Sequence, residues 1–411
     1  MYLIKKIATL LFFLLVFCSP LFPQNNGYVI LVSFDGFRWD YANRNITPNL
    51  DFIEQNGVHA LSLKPCFPSK TFPNHYSIVT GMYPENHGII ANNFIDPFTN
   101  EIYKISDTAA VRNPKWYKGE AIWETAKRQG LKTASYFWPG SELNLEYRRP
   151  DYVEKYEHKR NYNLRVNGVL DWLQLPYSER PHFITLYFDA TDTYGHKFGT
   201  NSREVNNSIM QLDSLLGSLF NGLKQINLYD SVNVIVVSDH GMTDISKDRI
   251  ISVDQLLAEF NCRYSDNGPV MFLYADPNKQ EAIYQKLKAS QNHFTVYKKN
   301  ELPAYFHYSN NHFVPELILV ADAGWSLITE KDKNWYANND VGGNHGYDPN
   351  FIDMQGIFYA IGPAFKQNYT CGTLNNVDIY PLLAKILRIF PNNNIDGNLI
   401  NIEFLLKENV K

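Results

Sequence analysis

The 411-residue chain is 45% hydrophobic and 19% charged, which supplies a large core and excludes a disordered or collagen-like chain. Its net charge of −4 lacks the basic footprint of a general nucleic-acid binder, so no stable nucleic-acid partner is expected. At about 150 residues per domain the length allows two or three domains, although large α/β enzymes often exceed that figure in one.

The first element is N-terminal. Lys5 and Lys6 precede an apolar run from Ile7 to Cys18, and Ser19 to Gln24 contains two prolines. This is the layout of a secretory signal peptide, read over residues 1–24. The apolar run falls short of the roughly 20 residues of a membrane span. The chain is therefore read as exported, secreted or periplasmic, with no membrane span after signal removal. An N-terminal anchor, or lipid attachment at Cys18, is left open; bulky Phe17 stands where a small residue would be expected before such a cysteine. Losing Lys5 and Lys6 takes the net charge from −4 to −6. Export permits disulfides, and Cys66, Cys262 and Cys371 allow at most one internal pair.

Three apolar runs, Tyr28–Phe34, Phe183–Phe188 and Val232–Val237, each lead into acidic or acidic-histidine residues. Short runs rich in Val, Ile and aromatics predict buried parallel strands. Between the last two, Val205, Ile209, Leu212, Leu216, Leu219 and Leu223 repeat at helical steps and predict an amphipathic helix. A further helix is expected at Ala121–Gln129 and a strand at Lys132–Trp138. Alternating strands and helices imply an α/β fold with a mostly parallel sheet covered on both faces. The stretch from about 245 to 335 breaks this rhythm and is read as an insertion subdomain within one domain spanning 25–411.

The chemistry-bearing residues fall at the strand ends, where ligands sit in open α/β sheets. Asp35 follows the first strand, and Asp192 and His196 follow the second. Asp239 and His240 follow the third, and His345 comes later in Gly342-Gly343-Asn344-His345-Gly346. Pro73 suits the first turn of a short helix and Gly81 its stop. Thr71 and Phe72 then lie at a helix N-terminus, which favours an anion. A threonine hydroxyl there beside a metal makes a nucleophile. Asp35, Thr71, Asp192, His196, Asp239, His240 and His345 are seven candidate ligands, enough for two open metal sites. Their oxygen and nitrogen donors suit catalytic zinc, with manganese or iron also accommodated. Two such ions clamp both oxygens of an in-line phosphoryl displacement.

At this point the motifs resemble a family. Phe34-Asp35-Gly36-Phe37-Arg38, Lys70-Thr71-Phe72-Pro73-Asn74-His75-Tyr76, Tyr83-Pro84-Glu85-Asn86-His87-Gly88, Ser238-Asp239-His240-Gly241-Met242 and Gly343-Asn344-His345-Gly346 look like nucleotide pyrophosphatase/phosphodiesterases of the alkaline phosphatase superfamily. The resemblance runs from about Tyr28 to Gly397. It implies an alkaline-phosphatase-like fold and two Zn2+ per chain. Asp35, Thr71, Asp239 and His240 would hold the ion that activates the Thr71 hydroxyl. Asp192, His196 and His345 would hold the other. Asn92 matches an asparagine that donates to a phosphate oxygen together with the Thr71 N–H, with Asn93 as the neighbouring register. Phe72 matches one wall of a nucleobase slot and Tyr156 the other. The implied reaction is hydrolysis of a small-molecule nucleotide or nucleotide ester to a nucleoside 5′-monophosphate through a nucleotidyl-threonine. A phosphodiesterase of choline-type lipid head groups, or a secreted protein that binds nucleotide or zinc without turnover, is the rival reading. Tyr194 stands where the family carries a small residue, so a change at the rim of the site is expected. His75, His87 and His182 read as structural.

Overall fold

The computed structural model describes residues 27–338, 341–408 and 410. The signal-peptide segment and Cys18 lie outside the described residues. Eight strands form the main sheet: β1 (Tyr28–Phe34), β2 (Val58–Ala60), β3 (Thr133–Tyr136), β4 (Tyr152–Glu154), β5 (Phe183–Phe188), β6 (Val232–Val237), β7 (Phe358–Ile361) and β8 (Tyr369–Cys371). Their order is β8-β2-β7-β6-β1-β5-β3-β4. The three runs predicted as strands are β1, β5 and β6 with unchanged ends, and all their residues are buried. β7 alone runs against its neighbours β6 and β2. The strand expected at Lys132–Trp138 is trimmed to β3, and its preceding helix to Ile122–Arg128.

Period-two alternation sends successive β1 residues to opposite faces. Val29 and Leu31 join one core with Ile78, Val79 and Leu383. Ile30, Val32 and Phe34 join the other with Ile209, Leu212 and Leu216. Three helices matter to the site: α1 (Thr71–Thr80), α2 (Ala190–Phe198) and α3 (Arg203–Gln225). All six predicted stripe residues of α3 are buried, worth roughly 1.5–3 kcal/mol each relative to exposure. Ser202 caps α3 by accepting the Val205 N–H at 3.2 Å, which satisfies one of its orphan donors.

The parallel register decides where chemistry can occur. Phe34 stands beside Phe188, and Ser33 beside Val237. The residues after β1, β5 and β6 therefore emerge at one edge, although just over two hundred positions separate the first from the last. His345 arrives there differently. Thr243–Ser246 pairs antiparallel with Val341–Asn344, with Thr243 opposite Asn344.

The 245–335 stretch contains a separate antiparallel sheet. Its order is Arg263–Ser265, Val270–Tyr274, Leu317–Ala321, Phe294–Lys298. Val270, Phe272, Ile318 and Val320 pack into the main core. The alternate residues Met271, Leu273, Leu317 and Leu319 pack with Ile283 and Leu287 of the helix Pro277–Ala289. Cys66, Cys262 and Cys371 are all free thiols, so the one pair the sequence allowed does not form. Among the described residues no helix is long and apolar enough to cross a membrane.

Candidate metal centre

α1 starts at Thr71 and ends at Gly81, whose φ of 66° is the left-handed conformation glycine adopts without strain. Thr71 thus heads the helix, as its sequence suggested. Asp192 and His196 sit four apart on α2 and share a face. Gly36, with φ of +65°, lets the turn after β1 meet α2, since a Cβ there would lie 2.9 Å from Asp192 Cα.

These elements bring all seven predicted residues together. His240 Nε2 lies 3.2 Å from Thr71 Oγ1, 3.4 Å from Asp35 Oδ1 and 3.0 Å from Asp239 Oδ2. His196 Nε2 lies 3.3 Å from Asp192 Oδ1. His345 Nε2 is 3.5 Å from the same oxygen and 3.1 Å from His196 Nε2. The other ring nitrogen of each histidine meets a backbone carbonyl. Nδ1 of His196, His240 and His345 stands 2.8 Å from the oxygens of Gly343, Gly241 and Ser69 respectively. A carbonyl only accepts, so each Nδ1 carries a proton, and in the neutral imidazole Nε2 is the atom with a lone pair for a ligand.

Whether a metal fits is answered by the carboxylates. Asp35 Oδ1, Asp192 Oδ1 and Asp239 Oδ2 are buried with no hydrogen-bond partner, a costly state unless something else occupies them. Those are the oxygens nearest the Nε2 atoms. Three sets of side chains have ligand atoms within 4.8 Å of one another: Asp192, His196 and His345; Asp35, Asp192 and His240; Asp35, His75 and Asp239. The first reproduces one expected ligand set. The other expected set is divided, because Asp35 is shared and His75 enters beside Asp239. Neutral imidazole and carboxylate donors of this kind fit divalent transition metals.

In the polypeptide alone the cluster is electrostatically divided. Burial, then the charges of Asp239 and Asp192, push Asp35 well above the usual carboxylate range. Burial would also raise Asp192 and Asp239. The facing histidines outweigh it, holding Asp192 below its ordinary value and Asp239 well below. Burial, with His240 beside it, holds His345 well below the ordinary imidazole value, so it stays neutral. Such opposed shifts are what concentrated, desolvated charge produces.

Two residues were not identified as site residues from the sequence. His75 Nδ1 is 2.9 Å from the Thr71 carbonyl and 3.2 Å from Asp239 Oδ2, while Nε2 meets Ser33 Oγ at 2.7 Å. Its i,i+4 spacing from Thr71 was the available signal. Tyr187 donates to Asp35 Oδ2 at 2.6 Å; as one aromatic in a buried strand it gave none.

Beside Thr71 a cavity of about 290 Å³ is lined by Phe72, Phe137, Trp138 and Tyr156, with Asp35 and Asp192 at its metal-cluster end. Phe72 and Tyr156 thus border one space, and Tyr156 is 50% exposed. Asn92 Oδ1 accepts the Phe72 N–H at 3.0 Å, which puts Asn92 rather than Asn93 at the head of α1. Asn93 lies in a neighbouring cavity. Tyr194 is exposed and stacks on Phe198 at 6.1 Å; it lines neither cavity, contrary to the expected change at the rim.

The family described as type I phosphodiesterase/nucleotide pyrophosphatase matches residues 29–348. Venom phosphodiesterase CdcPDE of Crotalus durissus collilineatus is 38% identical over 95% of the chain. Ectonucleotide pyrophosphatase/phosphodiesterase family member 5 of Homo sapiens is 36% identical over 92% of the chain and 78% of its own length. The chain spans 47% of the first of these, about half the length of the venom relatives it matches. The structure of murine ectonucleotide pyrophosphatase/phosphodiesterase 5 superposes with a TM-score of 0.87 at 35% identity, covering 92% of this chain and 100% of that one. An inactive threonine-to-alanine variant of that murine protein was solved in complex with AMP. With the fold and most of its length matched, the chain belongs to the type I phosphodiesterase/nucleotide pyrophosphatase family.

Proposed function

We propose that the protein is an exported, zinc-dependent phosphodiesterase that hydrolyses nucleotides or nucleotide esters to nucleoside 5′-monophosphates, on one catalytic domain with an insertion at about 245–335. The observation that carries the reading is the set of three partnerless carboxylate oxygens facing three imidazole Nε2 atoms beside Thr71. Asp35, Asp239 and His240, with Thr71, would hold one zinc ion; Asp192, His196 and His345 would hold the second. When bound, the ions supply Lewis acidity, lowering the pKa of a hydroxyl and neutralising the charge on the leaving oxygen.

The remaining work falls to the chain. Thr71 Oγ attacks the α-phosphorus in line, displacing the leaving group and forming a nucleotidyl-threonine. Asn92 has its Oδ1 committed to the Phe72 N–H, which leaves its Nδ2 amide as the donor for a non-bridging oxygen, together with the Thr71 N–H. The cavity between Phe72 and Tyr156 takes the base by stacking. Water then opens the intermediate from the side the leaving group vacated, returning Thr71.

The test assays the purified protein on thymidine 5′-(4-nitrophenyl phosphate), 4-nitrophenyl phosphorylcholine and 4-nitrophenyl phosphate, with and without chelator. The account predicts chelator-sensitive turnover, fastest on the thymidine ester, and loss of turnover in Thr71→Ala with zinc content largely kept. Preference for the choline ester overturns the substrate reading, and chelator-resistant turnover overturns the metal role. Absence of turnover on all three would favour a binding protein.

A further inference from the structure

One buried cation stands apart from the reacting groups. Arg165, on the helix Tyr162–Leu173, has no exposed surface. Its Nη1 donates to the Tyr187 carbonyl at 2.8 Å and faces Asp189 Oδ1 at 3.4 Å. Its Nη2 donates to the carbonyls of His158 and Arg160, each at 3.3 Å. Its Nε is buried with no hydrogen-bond partner. A buried arginine left partly unsatisfied is a poor source of stability. What the rigid fork supplies is geometry, because it fixes several acceptors at once.

Those acceptors and their neighbours border the cavity beside Thr71. His158 and Arg160 follow Tyr156 in the segment between β4 and the helix Tyr162–Leu173. The Tyr156 hydroxyl lies 3.2 Å from His158 Nδ1, and that nitrogen lies 3.2 Å from Asp189 Oδ2. Asp189 is buried and also accepts the Tyr162 hydroxyl at 3.2 Å. The guanidinium carbon sits over the Phe137 ring, 4.9 Å from its centroid. Phe137 lines the cavity and meets Tyr156 edge-on at 5.2 Å. Its φ of +63° is a left-handed conformation that a bulky residue keeps only where its surroundings impose it.

Resting on the reading of this cavity as the slot for the base, we propose that Arg165, anchored by Asp189, is a positioning residue for nucleotide recognition. It holds Phe137 from behind and ties the Tyr156 segment to the end of β5, which sets the width of the slot. Arg165 lines no part of the cavity itself and acts through Phe137 and Tyr156. A lysine at this position keeps a positive charge toward Asp189. A single ammonium cannot reproduce the planar fork that reaches Tyr187 on one side and His158 and Arg160 on the other. The stacking surfaces would then lose their fixed spacing while the reacting groups around Thr71 stay in place.

The experiment measures the zinc-loaded full-length protein on thymidine 5′-(4-nitrophenyl phosphate) and on methyl 4-nitrophenyl phosphate, a diester with the same leaving group and no base. In Arg165→Lys, KM for the thymidine ester rises about 3- to 10-fold, a part of what complete loss of a stacked base costs. Its kcat stays within about twofold, as does kcat/KM on the methyl ester, because only binding of the base is weakened. A role confined to stability or zinc retention would lower turnover of both esters alike, leaving their ratio unchanged. Asp189→Asn keeps the shape of the anchor without its charge and lowers the same ratio in the same direction. An unchanged ratio in Arg165→Lys overturns the proposal. Should Arg165→Lys fail to fold, an unchanged ratio in Asp189→Asn overturns it. A wild-type protein that turns over both esters equally well has no base slot, which removes the proposal while leaving the phosphodiesterase standing. Failure of both esters with wild type overturns the underlying reading instead.

Discussion

Replacing Tyr187 by phenylalanine removes one oxygen from the site and little else. The phenol is buried and donates to Asp35 Oδ2 at 2.6 Å. Burial and the neighbouring Asp35 push it well above its ordinary pKa, so it stays protonated and remains a donor. Its ring packs edge-on against His75 at 5.3 Å, a contact phenylalanine keeps, so no cavity opens. The loss is therefore one hydrogen bond to a carboxylate, about 1.5–3 kcal/mol. At 1.4 kcal/mol per factor of ten, this corresponds to zinc binding weakened by roughly 10- to 150-fold, in line with the 10–100-fold typical of groups that orient metal ligands. Titration of Tyr187→Phe against a competing chelator reads that factor directly. At saturating zinc, kcat/KM on the thymidine ester should recover to within a few-fold of wild type. Unchanged zinc affinity in Tyr187→Phe would refute the assignment of Asp35 as a ligand oriented by Tyr187.

Two further predictions rest on different parts of the molecule. Phe72→Ala and Tyr156→Ala should each raise KM for nucleotide substrates by about 5- to 150-fold, from 1–3 kcal/mol of lost base stacking, with kcat less affected; equal KM values in wild type and variants would remove the slot. His87 is buried, with Ser77 Oγ 3.0 Å from Nε2 and the Ile89 N–H donating to Nδ1 at 3.2 Å, and burial lowers its pKa to about 3. A histidine depressed below its unfolded value binds fewer protons when folded. Stability from this source is complete above about pH 6.5 and is lost as pH falls toward 3. Between pH 7 and pH 5 this amounts to about 2 kcal/mol. Denaturant unfolding of wild type and His87→Gln should show the pH-dependent gap shrinking by that amount in the variant, and an identical gap would contradict it.

Much of the fold was legible because its signals are local. β1, β5 and β6 are largely apolar since both sheet faces are covered, and α3 carries its stripe over about five turns. Asp35, Asp192 and Asp239 could be expected to converge because parallel strands end at one edge. The antiparallel β7 was not legible, since Phe358–Ile361 carries no mark of direction. The antiparallel sheet within 245–335 was hidden by strands of only three to five residues. Within the site, individual ligands followed from residue type and position, but their neighbours did not. Tyr187 reaches Asp35 through strand pairing between β1 and β5, and Asp266 meets Lys70 across 196 positions, where sequence spacing says nothing. Tyr194 shows the reverse case, a conspicuous substitution whose side chain turns toward Phe198 and away from the cavities.

The central claim is that Thr71 takes the nucleotide covalently between two in-line displacements. It is tested most directly by the stereochemical course at phosphorus, using a chiral nucleoside phosphorothioate ester hydrolysed in isotopically labelled water. Two successive inversions predict net retention of configuration in the nucleoside 5′-phosphorothioate product. Inversion would mean that water attacks the substrate directly, and would contradict Thr71 as the nucleophile.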